Sequence, residues 1–552
     1  MRLSIFEKNE KLLLRILFML ILAGGLSCIC LLCSLASTIR YSFYITLPEA
    51  FIIFISLTGL SLFASRSIYF LIAFIASFCL VADIHLLSTY GTPFFLNWEN
   101  YLSALFSTDV GEFFSYLPLL KFQEISASIF CIVGIILTLF TKPYKKIKLR
   151  YIIALSILFC LTYPLTFIVP VSKWIFQKQP RINAVSSETT FKITNFENLP
   201  QNVVLLIGES HRYDFFTDAF QPYQNKYDQL ITFSNYYSPF GYTENNMISI
   251  LTALNSEDIN QKNKNSPLPP SLISLFKLAG YETFFINYEL STKSKTVINT
   301  FNQEADKGLV YHQETITKND KEFLRYNDFR DWFRNQSNDL EIPRLLHNIF
   351  KDKNHRHFIV IKMIGVHMVQ EDRYPKAWDI RKPSFQDKHN KSDLACRKNA
   401  LSCYKGDTHH KLHINTYANA MDYSVYVIDK IIGQVALEKT PSFMLFTSDH
   451  GFCMFDAGVG YNSGNCQAGF KIPFIAFGNT AYINEHKNQW ETLAKNSLIA
   501  ASHDYLFSTI LSLAGIDLQQ KDIYLDLTTH TVKEKPQIVY VEQKGIMLED
   551  LK

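Results

Sequence analysis

The run Asn202-Val-Val-Leu-Leu-Ile-Gly-Glu209 decides the fold of the polar half of this chain. A continuous apolar stretch with a polar end is typical of a strand buried on both faces of a parallel sheet. His357-Phe-Ile-Val-Ile-Lys-Met363 and Ser442-Phe-Met-Leu-Phe-Thr447 have the same pattern. Because helical patterns separate these runs, the sequence predicts an α/β domain around a mostly parallel sheet.

Acidic and imidazole side chains lie at or soon after the ends of these predicted strands. They are Glu209, His367, Asp449 and His450. In open α/β sheets the ligand site lies beyond the carboxyl ends of the strands, so we expect these residues to converge. A lone Asp or His at a strand end is more often a helix cap or a satisfied polar group. Together, Glu209, Asp449 and His450 offer the oxygen and nitrogen ligands that suit a catalytic zinc ion.

The segment Ser238–Leu254 begins with turn residues and continues with helical spacing. This pattern places Thr243 near a helix N-terminus, where backbone N–H groups and the helix dipole favour a phosphoryl anion. Thr243 therefore completes the predicted site as its candidate nucleophile. An ordinary helix cap is the alternative role for Thr243, and Ser210, next to the predicted ligand Glu209, is a rival nucleophile.

The chain before about Val171 is nearly continuous apolar sequence, although the whole chain is only 48% hydrophobic. A helix that spans a bilayer of ~30 Å needs about 20 apolar residues. The candidate spans are Ile16–Leu35, Phe43–Phe63, Ile68–Leu87, Ile125–Phe140 and Tyr151–Val171. A cleaved signal peptide is the alternative for the first span, but its apolar core is long and lacks an evident cleavage site.

Lysine and arginine residues set the orientation of these spans, because short basic loops stay in the cytoplasm. The basic residues of the N-terminus, Arg66 and the basic loop 142–150 fall on one side of the membrane if all the candidate segments span it. This pattern predicts a cytoplasmic N-terminus and a C-terminal domain on the outer side. The predicted domains are a transmembrane domain over residues 1–172, a linker over 173–200 and a catalytic domain over 201–552.

Three ionisable residues of the apolar half, Glu49, Asp83 and His85, come near the outer face in this topology. Ionisable groups within a membrane are costly and usually functional, so one hypothesis is that they hold a lipid headgroup. Snorkelling toward the interface is the alternative. The aromatic-rich loop 89–124 is typical of amphipathic material in the outer interface, and a purely structural collar is equally compatible with it.

The formal net charge of +4 is small for 552 residues and gives no support for nucleic-acid binding. The polar half contains an even set of cysteines, Cys396, Cys403, Cys453 and Cys466. Such a set permits disulfides in an oxidising compartment. Cys396–Cys403 is the first candidate pair because it closes a short loop, and Cys453–Cys466 is the next.

The motifs resemble a known family, the phosphoethanolamine transferases that modify lipid A or lipopolysaccharide in Gram-negative inner membranes. The resemblance covers nearly the whole chain and rests on Gly208-Glu-Ser-His-Arg212, the threonine at a helix start, and Thr447-Ser-Asp-His-Gly451. It implies a transmembrane bundle of about five helices followed by an α/β domain of the alkaline phosphatase and sulfatase type. The loop Cys396–Cys403 also looks like the disulfide loop of the family.

The resemblance also implies roles for individual residues. Glu209, Thr243, Asp449 and His450 would hold one zinc ion, with Thr243 as nucleophile and His367 as a phosphate contact or proton donor. Two departures are that Ala418 stands where the family often has Asp, and that Gly458–Gly464 lacks the family's further histidine. A second metal is therefore in doubt. The predicted substrate-binding residues are Glu49, Asp83, Asn245 and Asn462, and Asn462 is the candidate to replace the missing histidine.

The implied function is transfer of phosphoethanolamine from phosphatidylethanolamine to lipid A or the lipopolysaccharide core through a phosphothreonine intermediate. The expected enzyme is a zinc-dependent monomer of the bacterial inner membrane with a periplasmic catalytic domain, in contact with membrane lipids. A phosphoglycerol transferase of the lipoteichoic acid or periplasmic glucan type is the alternative, since it shares the fold and the threonine. A sulfatase activity is disfavoured because Cys-x-Pro-x-Arg and Ser-x-Pro-x-Arg are missing at the nucleophile. An inactive envelope scaffold or sensor is the alternative of another class.

Overall fold

The structure is a computed structural model that describes most of the chain from residue 193 onward. The described residues are 17–18, 21, 68, 70–77, 80–81, 131–132, 193–196, 198–261, 267–288, 297–310, 339–367, 370–386, 407–454, 456, 466–518, 525–541 and 544–551. The chain divides into two compact units. One comprises Met1–Phe106, Tyr116–Gln177 and Leu394–Lys405, and the other Ser107–Ser115, Lys178–Asp393 and Gly406–Lys552.

In the first unit the described residues are helical and include the stretch 70–77. Within the described residues, none of the helices combines the length and the apolar character needed to cross a bilayer. Apart from a few helical residues, the predicted spans lie outside the described residues, as do Glu49, Asp83, the loop 89–124 and the pair Cys396–Cys403.

The second unit is built around a seven-stranded sheet with the order β3-β9-β8-β2-β7-β5-β6. Its strands are β2 (Asn202–Gly208), β3 (Leu230–Thr232), β5 (Tyr281–Asn287), β6 (Lys307–Val310), β7 (Arg356–Lys362), β8 (Ser442–Ser448) and β9 (Phe474–Gly478). The neighbours from β8 to β6 pair in parallel, whereas β9 is antiparallel to both β8 and β3. The predicted mostly parallel sheet is confirmed, and the three predicted strands lie within one residue of the observed bounds.

Shorter strands complete the described β structure. β1 (Ile193–Phe196) pairs with β11 (Ile516–Leu518), β4 (Tyr236–Tyr237) with β10 (Ala501–Ser502), and β12 (Ile538–Val541) with β13 (Lys544–Met547). The described helices are α1 (Tyr213–Phe220), α2 (Thr243–Leu251), α3 (Ser256–Gln261), α4 (Leu272–Leu278), α5 (Val297–Glu304), α6 (Ile342–Phe350), α7 (Asp407–Leu437), α8 (Thr480–Asn496) and α9 (Leu506–Leu513).

Helices cover both faces of the sheet, which explains the unbroken apolar character of its central strands. In β2, Val203, Leu205 and Ile207 belong to the core beneath α2, α4, α5, α8 and α9. Val204 and Leu206 point to the opposite core, which α1, α6 and α7 cover. Because β8, β2 and β7 are neighbours in this order, their carboxyl ends meet at one edge of the sheet.

Candidate active site

The carboxyl ends of β2 and β8 bring Glu209, Asp449 and His450 together in a buried cluster. His450 Nε2 lies 3.4 Å from Glu209 Oε1 and 3.7 Å from Asp449 Oδ2. Each of the three residues offers one ligand atom, and these atoms lie within 4.8 Å of one another. The residues that the sequence predicts as metal ligands thus converge on one small volume.

Hydrogen bonds from the backbone orient two of these side chains. Asp449 Oδ1 accepts the N–H of Ser210 at 3.1 Å and of His450 at 2.7 Å, so Oδ2 is the oxygen that faces the cluster. His450 Nδ1 donates to the carbonyl oxygen of Gly451 at 2.7 Å. Its Nε2 therefore presents a lone pair to the two carboxylates when the ring is neutral, as ligating histidines do.

The carboxylates of the cluster favour a positive charge, either on the imidazole of His450 or on a bound cation. Burial acts to lower the pKa of His450, but the carboxylates of Asp449 and Glu209 raise it above its ordinary value. A divalent cation would replace the proton at Nε2 and satisfy the same carboxylates, because metal binding and protonation compete for one lone pair.

Thr243 joins the cluster from α2, of which it is the first residue. Its Oγ1 lies 3.3 Å from Glu209 Oε2 and 3.5 Å from His450 Nε2. A tetrahedral zinc ion with ligand bonds of about 2.0–2.2 Å needs ligand atoms about 3.3–3.6 Å apart. The spacing and the chemistry of Glu209, Thr243, Asp449 and His450 fit such an ion.

Lys362, the last residue of β7, belongs to the same cluster and is fully buried. Its Nζ lies 2.5 Å from Glu209 Oε2 and 3.3 Å from Asp449 Oδ2. Sequence reasoning gave this residue no role, although a single charged side chain in the apolar run of β7 was a usable signal. The ammonium group offsets negative charge that the carboxylates would otherwise hold without solvent.

Ser210 is less suited than Thr243 to act as nucleophile in this geometry. Ser210 is buried, and its backbone adopts the left-handed conformation with φ 61°. Its Oγ donates to Glu209 Oε1 at 2.7 Å. Thr243 is partly exposed and lies at the N-terminus of α2. The hydroxyl of Ser210 thus orients Glu209, while that of Thr243 is accessible to a substrate.

The loop after β7 packs directly on the backbone of Glu209. Gly365 has φ 52°, and a Cβ at this position would lie 2.8 Å from Glu209 N. The buried carboxylate of Asp339 accepts the N–H of Ile364 at 3.2 Å and of Gly365 at 2.9 Å. A side chain distant in sequence therefore holds this loop against the predicted metal ligand.

Two buried histidines that sequence analysis did not select brace the site. Burial lowers the pKa of His211 to about 3 and that of His503 to about 3. His211 Nε2 lies 2.8 Å from Ser424 Oγ. The ring of His503 lies between Asn246 of α2, 3.2 Å from Oδ1, and the carbonyl oxygen of Ser448 in β8 at 3.0 Å. This contact links the helix that carries Thr243 to the strand that precedes Asp449.

The remaining predicted residues have different outcomes. His367 lies in the loop after β7 and is partly exposed, and its catalytic role stays a prediction. Asn245 is two residues from Thr243 and donates from Nδ2 to the hydroxyl of Tyr242 at 2.6 Å. Asn462 lies outside the described residues. Cys453 and Cys466, the second candidate pair, form a disulfide.

Comparisons with known proteins identify a family and several relatives. The family model described as Sulfatase matches residues 201–516. Phosphoethanolamine transferase EptC of Escherichia coli O18:K1:H7 is 23% identical over 474 residues, which cover 76% of each chain.

Two solved structures show the same fold. The integral membrane protein lipooligosaccharide phosphoethanolamine transferase A of Neisseria meningitidis has a TM-score of 0.61 at 15% identity, over 94% of this chain and 96% of that chain. The C-terminal periplasmic domain of EptC from Escherichia coli, in a complex with zinc, has a TM-score of 0.53 at 20% identity. That match covers 67% of this chain and 97% of that chain.

Proposed function

From the premise that this chain belongs to the sulfatase family, we propose that it is a phosphoethanolamine transferase of the bacterial envelope. Phosphatidylethanolamine is the donor, and the acceptor is lipid A or the lipopolysaccharide core. The names of the curated relatives support the transferred group. The sequence motifs resemble those of the phosphoethanolamine transferases, and the proposal assigns the substrates of that family to this chain.

The observation that carries the proposal is the position of the Thr243 hydroxyl, within 3.5 Å of both Glu209 and His450 at the N-terminus of α2. A phosphoryl group seated there would meet the hydroxyl and the positive end of the helix dipole together. Glu209, Thr243, Asp449 and His450 would hold one zinc ion. When bound, zinc would lower the pKa of the threonine hydroxyl and offset the charge of the phosphoryl group.

The transfer takes two balanced steps. In the first, Thr243 Oγ1, which has released its proton to solvent, forms a bond to the phosphorus of phosphatidylethanolamine, the bond from phosphorus to the diacylglycerol oxygen breaks, and His367 gives that oxygen a proton. In the second, an acceptor oxygen attacks phosphorus, the bond to Thr243 Oγ1 breaks and leaves that oxygen deprotonated as before the first step, and the acceptor proton passes to His367, which is thereby restored. Asn245 and Asn462 are the soluble-domain residues proposed to contact the substrate.

The proposed location is the inner membrane, with the catalytic domain over residues 201–552 in the periplasm. The apolar residues 1–172 would form a bundle of about five spanning helices, with Glu49 and Asp83 near the lipid headgroups. Both the donor and the acceptor are lipids, so anchoring the enzyme at the bilayer surface brings the substrates to the site. The disulfide Cys453–Cys466 supports an oxidising compartment.

The experiment that tests the nucleophile replaces Thr243 by Ala and by Ser in the full chain. Thr243→Ala removes the attacking oxygen, so phosphoethanolamine on envelope glycolipids should fall by roughly 10³-fold or more. Thr243→Ser keeps an oxygen at the same place and should retain measurable transfer. Mass spectrometry of the glycolipids from cells that express each variant gives the readout. Full transfer by Thr243→Ala, together with its loss in Ser210→Ala, would assign the reaction to Ser210 instead.

A further inference from the structure

A second cluster of potential ligands lies at the amino ends of β5 and β7, at the sheet edge opposite the active site. Glu282 is on β5, and Asp352 and His355 are in the segment that joins α6 to β7. Each offers one ligand atom, and these atoms lie within 4.8 Å of one another. Because acidic clusters on surfaces are common without a metal, this spacing alone does not define a site.

His357, in β7, supplies the independent observation. Its side chain is only 1% exposed, and its Nδ1 lies 2.8 Å from Asn202 Oδ1. Since the amide nitrogen of Asn202 donates to Ser442 Oγ at 2.9 Å, the atom facing His357 is the amide oxygen. His357 Nδ1 therefore carries the proton, and its Nε2 carries a lone pair.

That lone pair has no hydrogen-bond donor within the part of the chain that the structure describes. Nε2 lies 4.0 Å from Glu282 Oε2, which belongs to a member of the cluster. A buried acceptor without a donor loses the hydrogen bonds that water would give it in the unfolded chain, and this loss destabilises the fold. A cation between Nε2 and the carboxylate would offset this loss, and an Nδ1–H fixed by an oxygen acceptor is the arrangement of a metal-binding imidazole.

The two carboxylates are oriented in a similar way. Lys307 Nζ lies 2.7 Å from Glu282 Oε1, and the N–H of Asn354 donates to Asp352 Oδ1 at 2.9 Å. The second oxygen of each group faces a histidine: Glu282 Oε2 faces His357, and Asp352 Oδ2 lies 2.7 Å from His355 Nδ1. Glu282 Oε2 is thus the oxygen nearest to the His357 lone pair, whereas a cation at Asp352 Oδ2 would replace the proton of His355 Nδ1.

We propose that Glu282, Asp352, His355 and His357 form a second zinc site, which is structural and lies outside the proposed function. Two imidazoles and two carboxylates favour zinc over calcium and magnesium, which prefer all-oxygen ligands. Four protein ligands leave no open position, as in structural zinc sites. His357 and Lys362 are five residues apart on one strand, roughly 17 Å, so this ion is separate from the catalytic one. It ties the segment between α6 and β7 to the start of β5.

The test uses the full chain in detergent micelles, stripped with a chelator, loaded with Zn²⁺ alone and dialysed. Zinc per chain is then measured by inductively coupled plasma mass spectrometry. His355→Ala and Asp352→Asn should each bind one equivalent less than the unsubstituted chain. Their side chains are 62% and 39% exposed, so neither substitution should prevent folding, which circular dichroism checks. His347→Ala, at an exposed histidine of α6, is the matched control and should bind as much zinc as the unsubstituted chain.

Equal zinc content in His355→Ala and the unsubstituted chain would overturn the proposal, as would an equal loss in His347→Ala, which would indicate nonspecific surface binding. His450→Ala separates this ion from the catalytic one. It should lower the zinc content independently, and His355→Ala should still remove one equivalent in that background. If His450→Ala left the zinc content unchanged while His355→Ala still removed one equivalent, the proposed function would lose its metal site and the second site would stand.

Discussion

Lys362 places a buried ammonium group between the carboxylates of Glu209 and Asp449. Two carboxylates that are removed from water repel each other, and leaving one of them unpaired costs several kcal/mol. The ammonium group thus allows the acidic site to exist before any metal is bound. A zinc ion would take over part of this charge compensation, so the two cations should be partly interchangeable in their effect on stability.

Replacing Lys362 by Met tests this interpretation. Without zinc, the variant should lose roughly 3–5 kcal/mol of unfolding free energy, because a buried charge pair is broken from one side. With zinc bound, the loss should be clearly smaller. Denaturant unfolding of the full chain with and without Zn²⁺ measures both values. Lys487→Met, at a side chain 72% exposed, is the control and should change little. An equal loss of unfolding free energy with and without zinc would contradict the interpretation that zinc takes over part of the charge compensation by Lys362.

The sequence predicted the cluster of Glu209, Asp449 and His450, because these residues lie at the ends of continuous apolar runs. Such runs indicate strands that are buried on both faces of a sheet. The sequence did not predict Lys362, because the side of the strand on which this residue lies depends on register. β7 pairs with β2 so that Lys362 stands beside Ile207, two residues before Glu209. A register shift of one residue would turn Lys362 toward the opposite face of the sheet.

At the scale of elements, the loop after β7 is held by the carboxylate of Asp339, which accepts two backbone N–H groups. Burial raises the pKa of Asp339 from 3.8 to about 6, although the hydrogen bonds from Gly365 and Ile364 act to lower it. The folded protein therefore binds this proton more tightly than the unfolded chain does. The associated stabilisation is complete below about pH 4 and is lost as the pH rises through 6.

The rise of the Asp339 pKa from 3.8 to about 6 corresponds to a stabilisation of roughly 3 kcal/mol. Asp339→Asn cannot titrate at this position, so its unfolding free energy relative to the unsubstituted chain should rise by roughly this amount between pH 4 and pH 7. Comparing the two proteins cancels the titration of all other groups. Urea unfolding of both at several pH values gives the measurement. A difference that stays constant with pH would show that Asp339 does not titrate in this range.

At the scale of the molecule, the sequence predicted a mostly parallel sheet but not its strand order. Apolar runs show that a strand is buried on both faces, whereas packing between distant segments decides which strands are adjacent in the sheet. β2 lies between β7 and β8, although more than a hundred residues separate it from each of them. The antiparallel β9 and the short β3 were not predicted, because a five-residue or three-residue strand carries little periodicity.

The division of the chain into two units leads to a prediction about the whole molecule. The residues that carry the proposed chemistry all lie in the second unit, whereas the apolar sequence that would hold the enzyme at the bilayer lies before residue 172. Residues 178–552 alone, which keep β1, should therefore still cleave a water-soluble ester such as p-nitrophenyl phosphoethanolamine. Transfer between lipids in vesicles should fall by about 100-fold or more, because the domain loses the high effective concentration that anchoring provides.

Both reactions can be measured side by side, by release of p-nitrophenol and by mass spectrometry of the acceptor lipid. Thr243→Ala within the same fragment is the control and should remove the soluble activity as well, since the nucleophile is shared. Lipid transfer by the fragment at the rate of the full chain would mean that the domain finds its lipid substrates without the apolar half. Loss of both activities, in a fragment that circular dichroism shows to be folded, would mean that the apolar half completes the catalytic site itself and does more than anchor it.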